Sequence, residues 1–238
     1  MQCLNVWVVV PTHNERDNLQ PLVERITEFA PSVKQILFVD DASPDGTAAA
    51  ARDIPNVLVL ERNGPRGYGF SMRDGIQHAL AAGADAVVTM DADLSHDASI
   101  IPAMIDGLAA ADVVIGSRYC RSQVLIENWP RHRLFISQFA TTLVSLSTGV
   151  QLDDSTSGYR CWNAKLLRRM DLDHIHSGGF AFLYESLFYA GRAGARFLEV
   201  PNLYRGRVHG ESKLNMRIIV EAARLLPRLF LRRTLSRR

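Results

Sequence analysis

An α/β fold with a mostly parallel sheet, covered by helices on both faces, is what three features of this sequence predict. Short apolar runs of strand length recur, helical patterns lie between them, and the runs end in polar turns. Asn5–Val10 reads as the first strand, with a helix over roughly 15–29. Lys34–Asp40 is the second, and Gly46–Arg52 opens a short helix. Asn56–Leu60 is the third, with a helix over about 69–82. Ala84–Met90 is the fourth, followed by a helix from about Ala98, and Asp112–Ile115 is the fifth. In such sheets ligands gather beyond the carboxyl ends of the strands. Four polar segments fall there: Pro11-Thr-His-Asn-Glu15, Asp40-Asp-Ala-Ser-Pro-Asp-Gly46, Asp91-Ala-Asp93 and Gly116-Ser-Arg-Tyr119. One polar loop is ordinary, but four converging on one edge make a site.

The sharpest of the four is Asp91-Ala-Asp93, where an apolar run stops in two carboxylates one residue apart. On a regular strand, side chains two positions apart share a face. Paired carboxylates repel unless a cation neutralises them, and hard oxygen ligands suit Mg²⁺ or Mn²⁺. Such an ion keeps waters and takes further ligands from substrate phosphates.

Composition describes one globular domain of 238 residues, 47% hydrophobic and 22% charged. No Pro/Gly/Ser-rich linker, internal repeat or low-complexity tract divides it. Three scattered cysteines, Cys3, Cys120 and Cys161, fit neither a disulfide framework nor a zinc site and point to a reducing compartment. No secretory signal is read at the N-terminus.

Past residue 120 the rhythm changes. Leu134–Leu152 carries no charge, yet Ser137, Gln138, Thr141, Thr142 and Ser145 interrupt its apolar residues at helical spacing. A core helix and an interfacial helix beside a lipid substrate both fit. Residues 217–238 hold seven Arg and one Glu, a net +6 that leaves −4 for residues 1–216 of the total +2. Apolar clusters alternate there with Arg224, Arg228, Arg232 and Arg233, around Pro227. That pattern excludes a spanning helix. It fits a helix lying on an anionic membrane surface, or one docked on the domain with a frayed basic tail.

In combination these segments resemble family 2 glycosyltransferases. The resemblance rests on Pro11-Thr-His-Asn-Glu-Arg-Asp-Asn18, Val39-Asp-Asp-Ala-Ser-Pro-Asp-Gly-Thr47, Met90-Asp-Ala-Asp-Leu-Ser-His96 and Gly116-Ser-Arg-Tyr119. Asp153-Asp-Ser-Thr-Ser-Gly-Tyr-Arg160 and Arg207-Val-His-Gly-Glu-Ser-Lys-Leu214 narrow it to dolichol- or polyprenol-phosphate mannose synthases. It implies a GT-A fold over residues 1–214, with 215–238 as a basic amphipathic tail. It also implies Mg²⁺ or Mn²⁺, a nucleotide-sugar donor (GDP-mannose favoured, UDP-glucose the alternative) and a polyprenyl or dolichyl phosphate acceptor. By the same resemblance Pro11, Thr12, Glu15 and Asp41 hold the base and ribose, and Asp91 and Asp93 handle ribose and metal–diphosphate. Arg118, Arg133, Ser137, Arg207 and Lys213 surround the phosphates of donor and acceptor, with Trp129 in the acceptor segment. Departures are Asp97 where Pro is usual, Cys120–Gln123 without the common glycines, Leu183 where Gln is frequent, and Arg66-Gly-Tyr-Gly69 in place of a Gly-Leu-Gly. They touch donor-sugar and acceptor specificity.

The residues themselves support such chemistry. Displacing a nucleoside diphosphate requires charge neutralisation on the leaving group. A phosphate-monoester acceptor is largely dianionic near neutrality, its second pKa being about 6, so it needs no general base. It does need fixed cations to hold it against a like-charged donor, which suits Arg. Arg133, Arg160 and Arg207 are candidates, with surface solvation the alternative for each. His13 and His96 read as hydrogen-bonded structural histidines, Ser95 as a turn residue or a water-mediated cation contact, and Trp7 and Trp162 as core. Glu185 either positions acceptor-side groups or pairs with an Arg.

Rival classes are weaker. The turn after the first strand is Pro-Thr-His-Asn-Glu, not the Gly-rich turn of a dinucleotide-binding oxidoreductase. An aspartyl phosphatase leaves the Asp pair and arginines unexplained. A processive polysaccharide synthase would carry Gln-x-x-Arg-Trp and spanning helices. A non-catalytic sugar-nucleotide-binding module predicts binding without turnover. The expected location is peripheral, on the cytoplasmic inner face of a membrane, with no nucleic-acid partner.

Overall fold

The structure, a computed structural model, describes residues 4–120, 123–127, 130–170, 172–204 and 216–235. Trp129, Arg207, Lys213 and the whole 207–214 segment therefore lie outside the described residues. β1 (Val6–Thr12), β2 (Val33–Asp40), β3 (Val57–Glu61), β4 (Ala86–Thr89) and β5 (Val113–Ser117) stand where the apolar runs predict them. β6 (Arg160–Asn163) and β7 (Phe197–Pro201) come from the half of the chain whose pattern marked no strand. All seven form one sheet in the order β3-β2-β1-β4-β6-β5-β7. Every pairing is parallel except those of β6, which runs antiparallel to both β4 and β5.

Alternation along β1 serves two cores. Trp7 and Val9 face one layer, with Met72 and Ile76 of α3 (Tyr68–Ala81), Leu187 of α7 (Phe182–Arg192) and Leu226 of α8 (Met216–Leu235). Val6, Val8 and Val10 face the other, with Leu22 and Ile26 of α1 (Leu19–Phe29) and Ile101 of α4 (Ile101–Gly107). Two short helices, α2 (Thr47–Arg52) and α6 (Ala164–Arg169), complete the cover. Two-sided burial is why the central strands are apolar throughout.

α1 starts at Leu19, after a 3₁₀ turn Arg16–Asn18, rather than near residue 15. The cause lies in the backbone donors. The N–H groups of Asn14, Glu15 and Arg16 donate to Ser43 Oγ, Thr47 Oγ1 and Asp45 Oδ2, so this stretch is tied to the loop after β2.

Topology then places the site. β1 lies between β2 and β4, and the chain runs out to β3 before crossing back to β4. The switch point is the β1/β4 crevice, where the loops after β1, β2 and β4 meet. Because β6 is antiparallel, the segment preceding it, residues 153–159, reaches that same edge.

α5 (Arg131–Thr148) resolves the uncharged stretch in an unexpected way. Its buried positions are Thr141, Val144, Ser145, Ser147 and Thr148, whereas Phe135, Ile136, Phe139, Leu143 and Leu146 are exposed. The core helix expected as one alternative is therefore wrong in orientation: the hydroxyls face protein and the apolar stripe faces out. α8 is a docked helix, with Leu226 and Leu229 buried and Arg233 Nη1 donating to Leu146 O at 2.7 Å. Among the described residues no helix is long and apolar enough to cross a membrane.

Candidate active site

The side expected to hold the donor is built from loops that hold one another. Thr12 Oγ1 and Ser43 Oγ donate to Asp40 Oδ1 at 3.2 and 2.6 Å, linking the ends of β1 and β2, which are in register at Thr12 and Asp40. Pro11 and Glu15 are half-buried beside them, and Glu15 Oε2 accepts from Asn18 Nδ2 at 2.7 Å. Asp41 is buried between a cation and a helix start: Oδ1 accepts from Arg62 Nη1 at 2.5 Å, Oδ2 from the Gly67 N–H at 2.6 Å. The second bond caps α3 with a negative charge, where the helix dipole favours one. Arg62, itself buried, also reaches Asp74 through Nε at 2.7 Å. Ala42 has φ 55° and Leu94 has φ 62°. A non-glycine residue there costs roughly 1–2 kcal/mol, an expense offset by the surrounding contacts.

β4 ends at Thr89, so Asp91 and Asp93 lie on the turn beyond it and not on a regular strand. Asp93 is buried, and its Oδ1 accepts from Ser95 N at 3.1 Å and Ser95 Oγ at 2.5 Å. Ser95 thus has the turn role expected as one of its alternatives. The Asp91 N–H donates to His96 Nδ1 at 3.1 Å, and the His96 ring stacks on Tyr159 at 4.7 Å. His96 is structural, as expected; His13 Nδ1 is buried with no hydrogen-bond partner among the described residues. Asp97, in the position where Pro is usual, caps the 3₁₀ turn Ala98–Ile100 through Ser99 N. Tyr68, from the Arg66-Gly-Tyr-Gly69 departure, has its phenol pushed well above the ordinary range, by burial first and then by the Asp91 charge.

Among the described residues no group of three or more His, Cys, Asp and Glu is placed to hold a metal. Two adjacent carboxylates fit a hard cation only if most of its ligands come from a diphosphate and water, which is how Mg²⁺ and Mn²⁺ bind at phosphate-transfer sites.

The side expected to hold the acceptor carries Arg118, Arg133 and Ser137. Arg118 closes its fork on Asp154, with Nε and Nη2 each 2.7 Å from a carboxylate oxygen, and Nη2 also reaches Thr156. The pair uses Nε and Nη2 of the guanidinium from which a phosphate contact is expected by resemblance. Burial raises the Asp154 pKa, but the Arg118 charge and hydrogen bonds outweigh it and hold the carboxyl below its usual range. Ser137 Oγ lies 3.3 Å from Thr156 Oγ1, and Arg133 is half-buried on the first turn of α5. Arg160 is neither solvated nor at the surface. Its guanidinium donates to Ser157 O, Leu183 O, Ser186 Oγ and Ser155 O, and burial lowers its pKa to about 10. Among the described residues Glu185 forms no ion pair with an arginine; its carboxylate accepts the N–H groups of His176 and Ser177 at 3.1 and 2.9 Å. Trp7 and Trp162 are core, as expected.

The profile of Glycosyl transferase family 2 matches residues 7–176. The chain is 37% identical to the undecaprenyl-phosphate mannosyltransferase of Micrococcus luteus, over 92% of this chain and 91% of that one. It is 37% identical to the polyprenol monophosphomannose synthase of Mycolicibacterium smegmatis, covering 90% and 83%. A dolichol-phosphate mannosyltransferase of Pyrococcus furiosus is 33% identical over 95% of this chain, which spans 64% of that protein. Among solved structures, glucosyl-3-phosphoglycerate synthase from Mycobacterium tuberculosis with Mn²⁺, UDP and glucosyl-3-phosphoglycerate superimposes with a TM-score of 0.68. That likeness covers 97% of this chain and 80% of the other at 17% identity, and it shows the GT-A fold.

Proposed function

The chain belongs to glycosyl transferase family 2, and from that premise we propose that it is an inverting transferase moving mannose from GDP-mannose to a polyprenyl phosphate. The observation that carries this reading is an arrangement on one sheet edge. Paired carboxylates stand at the switch point, and Arg133 with Ser137 stands on the start of a helix whose outer face is apolar. A phosphate at that helix start, with its isoprenoid along the stripe, matches the chemistry of both.

Asp91 and Asp93 would hold Mg²⁺ or Mn²⁺, which when bound neutralises the departing diphosphate. The loops carrying Pro11, Thr12, Glu15 and Asp41 position the nucleoside. An acceptor phosphate oxygen forms the new bond to the anomeric carbon as the bond to the diphosphate breaks on the opposite side, inverting the configuration. Arg133, and by resemblance Arg207 and Lys213, offset the negative charge that donor and acceptor bring together. Arg118 holds Asp154 and Thr156, and so the far side of Ser137. The acceptor as a dianion leaves no proton to remove.

The enzyme would work as a peripheral protein on the cytoplasmic face. Phe135, Phe139 and Leu146 continue away from the site on α5, which contains no acidic residue, and Arg131 and Arg133 flank them. Exposed Phe230, Leu231 and Leu235 extend the apolar surface on α8, next to its arginines.

The test is a donor and acceptor matrix: GDP-mannose and UDP-glucose, each with undecaprenyl phosphate and with the free alcohol. Product only from GDP-mannose and the phosphate is expected. Transfer from the uridine donor alone, preference for the alcohol, or a covalent sugar–enzyme adduct would overturn the reading.

A further inference from the structure

Among the seven arginines of residues 217–238 stands a single acid, Glu221. Arg224 follows at the spacing of an ion pair along a helix, yet the bond Glu221 makes is to a backbone donor on another element. Its Oε1 accepts from the Gly179 N–H at 3.0 Å. A Cβ at Gly179 would collide with Glu221 Oε2, so the carboxylate occupies room that a glycine leaves. Beside this contact α8 and the 176–179 loop part around a cavity of about 580 Å³, which His176, Gly178, Val220 and Leu225 help to line. Among the described residues, no other hydrogen bond joins α8 to the loop. The far side of the loop lies on α3, backbone against backbone. The Gly69 N–H donates to Gly178 O at 2.8 Å, and a Cβ at Gly69 or Gly67 would collide with Ser177 O or Gly178 O. Gly67 in turn gives its N–H to Asp41.

We propose that Glu221 is a positioning residue for the donor side of the cleft, holding the 176–179 loop against the first turn of α3 and so fixing that turn beneath Asp41. Three hydrogen bonds in series lead from the tail to a loop expected to hold the nucleoside: Gly179 to Glu221, Gly69 to Gly178, and Gly67 to Asp41. Glu185 fixes the near end of the same loop through the N–H groups of His176 and Ser177, and Glu221 supplies the matching bond at the far end. Carboxylates suit both places, because a hydrogen bond to an ionised acceptor is stronger than one between neutral groups. A helix docked by Leu226 and Leu229 alone would cover the core equally well and leave the loop unheld at Gly179. The tail that the sequence marks for a surface thus bears on the nucleotide as well.

This inference rests on the transferase reading, and the choice of variants separates the two. Binding of Mn²⁺ with GDP, and of Mn²⁺ with UDP in a parallel arm, is measured by titration calorimetry on the full chain. The variants are Glu221→Ala, Glu221→Gln, Gly179→Ala and Leu229→Ala. Gly179→Ala displaces only the flexible end of the Glu221 side chain, whereas Leu229→Ala loosens α8 on the core and keeps the Glu221 bond. Glu221→Ala and Gly179→Ala should each weaken nucleotide binding about five-fold and speed amide exchange at Gly69. Glu221→Gln keeps an acceptor oxygen and should recover most of the affinity. Leu229→Ala should lower Tm the most and leave nucleotide binding unchanged. In turnover assays the Glu221→Ala loss should fall on donor KM with kcat retained, the signature of lost uniform binding. Unaltered binding in both Glu221→Ala and Gly179→Ala, beside a wild type that binds, would overturn the inference alone. So would an equal loss in Leu229→Ala, which would mean general loosening of the helix. Failure of wild type to bind either nucleotide would bring down the transferase reading and this inference together.

Discussion

The donor and acceptor sides of the cleft are held together by different means, and the difference explains what each can tolerate. On the donor side, loops after three parallel strands brace each other: Asp40 ties β1 to β2, Arg62 and Gly67 fix Asp41, and Ser95 fixes Asp93. On the acceptor side, one ion pair, Arg118 with Asp154, joins the end of β5 to the approach of β6, and α5 leans on it through Ser137 and Thr156. α1 and α5 repeat the contrast in their packing. α1 buries Leu19, Leu22, Val23 and Ile26 and exposes charge, while α5 buries hydroxyls and exposes phenylalanines. The proposed donor side is closed by the protein's own contacts, whereas the proposed acceptor side leaves an apolar face uncovered.

The largest effect should come from the donor side. Asp93→Ala removes a carboxylate from a prebuilt turn, and a loss of about 10³-fold or more in kcat is expected, with thermal unfolding little changed. Near-normal turnover in that variant, or full activity in excess chelator, would show that the Asp pair is not the metal site. Next is Arg133→Ala, which should cost on the order of 2–4 kcal/mol of transition-state stabilisation, read as kcat/KM for the lipid phosphate. Wild-type efficiency would return Arg133 to a solvated surface charge and would dissolve the contrast between the two sides.

A smaller and different effect is expected on α5. Phe135→Ser with Phe139→Ser should weaken co-sedimentation with anionic vesicles about ten-fold, since burying a Phe side chain fully is worth roughly 1.5–3 kcal/mol and an interface buries only part of it. GDP binding should not change. Undiminished vesicle binding would move the anchor to α8. The smallest effect is on stability against pH. Asp154 has its folded pKa held below the unfolded value, so its contribution is complete above that unfolded value, about 3.9, and is lost as pH falls through the folded one. Urea midpoints should therefore fall more steeply below about pH 4 in wild type than in Asp154→Asn, which starts less stable. Parallel acid profiles would show that the ion pair adds little to holding the end of β5 against the segment before β6.

The convergence of the loops after β1, β2 and β4 was legible in the sequence because they sit at the ends of strands that hydrophobic patterning marks, and topology alone brings those ends together. The acceptor side was less so. Arg118 finds Asp154 across 36 positions, a pairing with no local signature. β6 was hidden because four residues carrying Arg160 and Asn163 look like no apolar run, and because its guanidinium is satisfied by carbonyls contributed from elsewhere. For α5 the period was readable and the direction was not. Spacing locates an apolar stripe without saying whether protein or lipid will cover it.

The position of β6 also sets an order of assembly. β4 and β5 are not neighbours: both pair with β6, whose residues 160–163 are made well after either, and β7 joins only through β5. During synthesis the block β3-β2-β1-β4 can form from local parallel crossovers, but β5 has no edge to join until the ribosome has released β6. Domains of this size commonly fold through such partial structures, and long-range pairing is slow. The donor loops therefore exist before the acceptor side has a scaffold. A nascent chain halted near residue 130 would carry a nearly complete nucleotide edge, an unpaired β4 flank, and a need for a chaperone.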